Sequence, residues 1–154
     1  YAYWTFSFWF RRSNDSALSS NNRMIDFREW DTSKGTTIVY ESDGSFNFVL
    51  RNNQNSNSIK IEDANFLCNN NWKHIVVGSN NGNAFCYYNN SARTASTGNN
   101  RSDSQETSGI KIGYGYGGGM GGEITHFENV RLFNKALTSS EVTDLYTTEG
   151  AAFA

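Results

Sequence analysis

Paired carboxylates are the first residues to weigh, because two of them roughly 5 Å apart can cleave a glycosidic bond, one as nucleophile and one as acid. The sequence offers Glu29 and Asp31 in "REWD", and Glu62 and Asp63 in "IEDAN". Adjacent residues of a strand point to opposite faces, which disqualifies Glu62 with Asp63. Glu29 and Asp31 can share a face, but Arg28 beside them suits a solvated turn. His74 and His126 are the only histidines, and local spacing assembles no Ser/Cys–His–Asp constellation around either. His74 reads instead as a structural histidine in a hairpin strand. "GYGYGG", residues 113–118, formally matches G-x-G-x-x-G. A dinucleotide site needs a helix N-terminus next to receive the pyrophosphate, whereas a glycine run and another strand follow here. No catalytic apparatus emerges, so the chain is expected not to be an enzyme.

Aromatic residues offer a different chemistry. A Tyr or Trp ring can cover the C–H face of a sugar while its polar atom hydrogen-bonds. Tyr114 and Tyr116, with Met120, fall in a glycine-rich run that can form a rim loop presenting them to a ligand. The alternative is a long turn whose tyrosines pack on a neighbouring strand. Trp9 lies opposite the aromatic face of its segment, and Trp30 sits in an irregular stretch. Each is a candidate sugar platform or a ring buried under a crossing loop or second sheet.

The elements that must position these residues are strands. Aromatics make up 15% of the chain and Pro is absent, a composition that suits half-buried pleated surfaces. Asn recurs in runs such as "NNQNSNS" and "CNNNW", and it tolerates the left-handed conformations of tight turns. "WTFSFWF" alternates with Trp4, Phe6, Phe8 and Phe10 on one face, which predicts a core strand. "TTIVYES" and "SFNFVLR" flank Asp43-Gly44, and "NWKHIVVGS" and "NAFCYYNN" flank "NNG", two hairpin signals. "MIDFREW" is of uncertain type, "SIKIED" is a strand, and "GIKIGYGY" and "ITHFENVRLF" read as the last two strands. Residues 11–22 and 89–108 read as polar connections. The total, roughly nine to eleven short strands, fits an all-β antiparallel sandwich.

Charge and length narrow the partners. With 13 basic and 15 acidic residues, no field points at nucleic acid or an anionic membrane. No apolar run approaches the ~20 residues of a spanning helix, so membrane insertion is not expected. No signal peptide is visible, and the chain opens on Tyr with a strand-like segment, as expected of a piece of a longer polypeptide. Cys68 and Cys86 match no zinc spacing and read as buried free thiols, with a disulfide between them as the lesser alternative. Asn14, Asn89 and Asn100 begin N-x-S sequons, which chance produces readily in so Asn-rich a chain.

The end of the chain departs from this pattern. In "NVRLFNKALTSSEVTDLY", residues 129–146, Thr138 and Glu141 form a T-x-x-E capping box. Val142, Leu145 and Tyr146 follow as an i, i+3, i+4 apolar stripe, and Gly150 offers a stop. A helix this short must dock, stripe inward, to persist.

"FENVRLFNKALTSSEVTDLY" resembles the end of laminin-G-like domains of the concanavalin-A-like lectin/glucanase superfamily. "WTFSFWFR", "NWKHIVVGSNNGNAFCYYNN" and "IKIGYG" resemble three further segments of that family, in its order. The resemblance spans residues 3–147 and implies an antiparallel two-sheet jelly-roll sandwich with a short C-terminal helix laid beside it. It places the domain at 1–150, lacking the family's first strand, with 151–154 as a tail. Calcium is common among such relatives and takes oxygen ligands at ~2.3–2.6 Å, which singles out Asp103 and Glu128. Glu128, Asn129 and Asn89-Asn90 depart from the residues relatives carry there.

The expected function is non-catalytic recognition of a glycan or glycosylated surface, as an adhesion module of a larger extracellular or virion-surface protein. The second expectation is a structural domain of a virion appendage or a capsid or tail assembly, contacting other chains through an open sheet edge. A remnant glycan hydrolase or lyase is the third and least supported.

Overall fold

The computed structural model describes residues 3–13, 22–27, 36–40, 45–51, 58–63, 68–94, 109–115, 118–119 and 125–153. Strand β1 (Tyr3–Arg12) carries the alternating aromatics, and Phe6, Phe8 and Phe10 are fully buried. Its neighbours on either side are β12 (Thr125–Phe133) and β6 (Lys73–Asn80). With β7 (Asn83–Tyr88) and β8 (Ser91–Arg93) they form a five-stranded antiparallel sheet in the order β12-β1-β6-β7-β8. The second sheet runs β5-β4-β3-β2-β9, from β2 (Asn22–Asp26), β3 (Thr36–Tyr40), β4 (Phe46–Arg51), β5 (Ser58–Asp63) and β9 (Lys111–Ile112). The all-β expectation therefore holds, with two antiparallel sheets and one short C-terminal helix, α1 (Ser139–Gly150).

Between the sheets, Trp4, Phe6, Phe8, Phe10, Ile75 and Val77 meet Met24, Ile25, Phe27, Ile38, Tyr40, Phe46 and Phe48. The rings interlock edge to face: Trp4 on Phe48 at 6.3 Å and Phe10 on Tyr40 at 6.1 Å. Such pairs add about 0.5–1.5 kcal/mol each beyond area burial. Cys68 and Cys86 are buried free thiols, the latter within β7.

Turn chemistry follows the asparagines. Among the described residues every non-glycine position with positive φ is Asn: 69, 70, 81, 89, 90 and 129. Asn81-Gly82 closes the β6–β7 hairpin, and Asn89-Asn90 closes a second one onto β8, inside the stretch expected to be a loop. The Asp43-Gly44 turn lies outside the described residues, while the strands it joins pair as expected, Tyr40 opposite Phe46. "GIKIGYGY" is not one strand. Gly113, at φ 72, breaks it after β9, and β10 (Tyr114–Gly115) pairs with β11 (Gly118–Gly119) as a separate ribbon.

Two sheet ends meet at one side of the sandwich. Strands β9 and β12 end their respective sheets. They face each other, since a Cβ added to Gly113 would lie 3.8 Å from the Phe127 ring. Register puts Leu132 beside Phe6 and Ile112 beside Ile25, on the inward faces. Yet Leu132 is 58% exposed, Ile112 46%, Ile110 42% and Val130 39%. Between Ser7 and Trp9 the β1–β12 register slips, and Asn129 at φ 48 forms the bulge.

Gly78 is fixed by close approach. A Cβ there would sit 2.4 Å from the Trp4 carbonyl oxygen and 2.5 Å from the Phe85 ring. Gly78→Ala is expected to cost about 1–3 kcal/mol of stability. Urea unfolding should show a lower midpoint with unchanged slope, and an unaltered midpoint would refute the close packing.

Candidate functional site

The outer face of the first sheet brings Thr5, Ser7 and Trp9 of β1 beside His74 and Val76 of β6. Alternation puts these residues opposite the core, and α1 covers them. Thr138 and Glu141 form the expected capping box at its start: the Glu141 N–H donates to Thr138 Oγ1 at 3.3 Å, and the Thr138 N–H to Glu141 Oε2 at 2.9 Å. Val142 is buried and packs with Val76 and Leu137, and Leu145 packs against the same cluster. Thr5 Oγ1 donates to the Lys135 carbonyl at 2.8 Å and accepts from the Leu137 N–H at 2.9 Å, tying the helix lead-in to β1. The helix ends at Gly150, where the stop was expected, and is capped by Ala151 in a right-handed conformation.

Trp9 is the anchor of this contact. Its ring stacks on His74 at 4.9 Å, Tyr146 at 5.7 Å and Phe153 at 4.6 Å. Its Nε1 donates to Glu149 Oε2 at 2.8 Å, and Glu149 also pairs with Arg131 of β12. Only 4% of Trp9 is exposed, so the sugar-platform expectation is corrected here: neither ring face is open to a ligand. Phe153 also reaches Trp72 at 4.9 Å.

Beneath the helix lies a Ser–His pair that spacing does not reveal. Ser7 Oγ is 3.0 Å from His74 Nε2. It resembles the start of a nucleophile–base relay, but both residues are fully buried and, among the described residues, His74 Nδ1 has no hydrogen-bond partner to orient it. Burial, and secondarily the Arg131 guanidinium, lowers the His74 pKa from 6.5 to about 4. The pair is structural, as expected of His74. His126 lies against Trp72 at 6.0 Å.

Beside the covered face, a groove of about 440 Å³ runs between β12 and α1. Phe133, Leu137 and Leu145 contribute apolar surface, and Arg131, Lys135, Glu141, Asp144, Thr148 and Glu149 contribute the polar rim. Arg131 is paired with Glu149, and Lys135 with Glu141. The Lys135 ammonium and the capping hydrogen bonds hold Glu141 at about 2. Asp144 is exposed, and among the described residues its carboxylate has neither hydrogen-bond nor ion-pair partner.

The other anticipated residues are not gathered into one place. Trp30, Tyr116, Met120, Asp103, Glu29 and Asp31 lie outside the described residues, and Tyr114 enters through its backbone, in β10. Glu62 and Asp63 occupy consecutive positions of β5, opposite Asn47 and Phe46. Glu128 is exposed on β12. Among the described residues no three His, Cys, Asp or Glu side chains converge. Glu149 was missed, although it sits i+3 from Tyr146 and i+4 from Leu145, on the buried stripe. No local signal marks Arg131 as its partner, because that pairing is made across elements.

The depressed His74 pKa has a defined sign. Between pH 6.5 and about 4 the unfolded chain binds the His74 proton and the folded chain resists it. Stability therefore falls as pH drops through that window and flattens, for this group, below it. Glu141 acts in the same direction but lower, between its ordinary 4.5 and about 2. Removing the ionisable ring by His74→Gln should shrink the loss of stability between pH 7 and pH 4.5 by up to about 3 kcal/mol. Urea titrations at both pH values measure it; an unchanged pH slope would refute the assignment.

Comparison with known proteins accords with this architecture. No curated protein matches the chain. Among solved structures, the binding domain of Paraclostridial Mosquitocidal Protein 1 superposes with a TM-score of 0.76 at 20% identity, over 96% of this chain and 37% of that one. The ligand binding domain of botulinum neurotoxin serotype D, in complex with N-acetylneuraminic acid, gives 0.76 at 15% identity over 97% and 38%. The binding domain of botulinum neurotoxin DC, in complex with rat synaptotagmin II, gives 0.73 at 19% identity over 96% and 36%. The chain thus spans little more than a third of each of these structures, and at such identities the likeness establishes the jelly-roll fold. Residues 2–143 match the family model described as the concanavalin A-like lectin/glucanases superfamily, and the chain belongs to that lectin-like family.

Proposed function

We propose that this chain is a carbohydrate-recognition module, one domain of a larger secreted or surface-displayed protein, that holds a glycan or glycosylated surface. The observation that carries the reading is the fold shared over 97% of the chain with a toxin binding domain whose structure holds N-acetylneuraminic acid. Burial of Trp9 removes it from the ligand surface. The reading assigns recognition to the edge of the second sheet, where β9 leads into the glycine-rich segment containing Tyr114 and Tyr116, with Trp30 as a further aromatic candidate. Glycan-array binding, with sialylated glycans included, tests it. Tyr114→Ala and Tyr116→Ala should each weaken binding roughly two- to tenfold, the worth of one aromatic contact. A folded wild-type chain that binds no glycan, or binds undiminished in both variants, overturns the proposal.

The side of the sandwich where the two sheet ends meet favours a second reading, a structural domain of a surface assembly such as a virion appendage. Ile110, Ile112, Val130 and Leu132 are exposed between two edge strands, and a sheet edge with apolar neighbours can accept a strand from another chain. Native mass should then exceed the monomer, and Leu132→Lys should return it to one. A wild-type chain that stays monomeric at high micromolar concentration sinks this reading.

A further inference from the structure

We propose that the groove between β12 and α1 is a docking site for a protein partner, and that it receives a Lys or Arg side chain flanked by an apolar residue. The argument is one of charge remaining after internal pairing. The groove is lined by two cations, Arg131 and Lys135, and three carboxylates, Glu141, Asp144 and Glu149. Arg131 is engaged by Glu149, which also holds the Trp9 indole. Lys135 is engaged by Glu141, which also closes the helix cap. Both cations are thus neutralised in place, and an anionic ligand would have to break a contact that docks or caps the helix. Asp144 alone remains uncommitted among these carboxylates, on the exposed face one turn from Glu141 and Thr148.

Next to that carboxylate lies the apolar surface of Phe133 and Leu145. A long basic side chain satisfies both features, with its methylenes along the apolar floor and its charged end in water beside Asp144. The volume, about 440 Å³, falls in the range of clefts that take small ligands and leaves room for a neighbouring apolar side chain. One free carboxylate is too few for a divalent cation, whose ligands are several oxygens. The groove lies on the helix side of the first sheet and uses none of the residues assigned to glycan recognition, so the two proposals stand or fall separately.

The test is an amide-resolved NMR titration of the whole chain with three peptides: acetyl-Leu-Lys-Leu-amide, and its norleucine and glutamate counterparts. The lysine peptide should shift the amides of Phe133, Asp144 and Leu145. Its binding should weaken roughly two- to fivefold in Asp144→Asn, and by a similar factor on raising salt, as expected for an exposed ion pair. Asp144 is exposed and outside the helix-docking contacts, so that variant is expected to fold normally. Equal binding of the norleucine peptide, undiminished binding by Asp144→Asn, or shifts confined to other surfaces overturn the proposal. Shifts of the same amides by methyl N-acetylneuraminide, without any by the lysine peptide, would overturn it in favour of a sugar site.

Discussion

The arrangement depends on β1 being buried from both sides. Its even-numbered aromatics fill the space between the sheets, and its odd-numbered residues, Thr5, Ser7 and Trp9, lie beneath the C-terminal helix. A strand with one aromatic face needs a second sheet; a strand that also carries Trp9 on the other face needs a further cover. Trp9 is large, and its indole N–H loses water on burial, so it needs an acceptor as well as an apolar roof. Glu149 supplies the acceptor, and Tyr146 and Phe153 supply the roof. The position of the helix follows from this requirement, and the groove beside it follows from the position of the helix.

That use of the outer face has functional consequences. A sheet face that elsewhere could receive a ligand is occupied here by the protein's own C-terminal segment. The Ser7–His74 pair lies under it, sealed from substrate and held neutral by its surroundings. Among the described residues, accessible surface includes the seam between β9 and β12 and the groove along α1. Recognition at margins suits a fold whose members differ chiefly in the loops and edges attached to a common sandwich.

The margins are also where the chain controls its own geometry. Asparagines in left-handed conformations close two hairpins of the first sheet and bulge β12 beside the seam. A bulge in an edge strand disturbs the regular row of N–H and C=O groups and so restricts which strands can add there. The same edge exposes aliphatic side chains on its inward face. Selective pairing and indiscriminate aggregation are separated by that balance.

The strands and the cap were legible from local rules, because alternation at period two and a T-x-x-E box are properties of neighbouring residues. "WTFSFWF" shows its core face directly, Asn81-Gly82 its turn, and Thr138 with Glu141 the start of the helix. Two local readings failed for local reasons of a different kind: Gly113 redirected a strand, and Asn89-Asn90 turned an apparent loop into a hairpin. The site was far less legible. Trp9 reads equally as platform or buried ring, and only the docked helix decides between them. Glu149 and Arg131, or Ser7 and His74, are far apart in sequence, and nothing in either neighbourhood specifies the other. Whether a charge is spent or free depends on which partner tertiary packing brings within reach. The sequence by itself determined the sandwich, its turns and the capped helix; only the tertiary structure decided that the Trp9 ring was closed off and that, of the groove's carboxylates, Asp144 has no partner among the described residues.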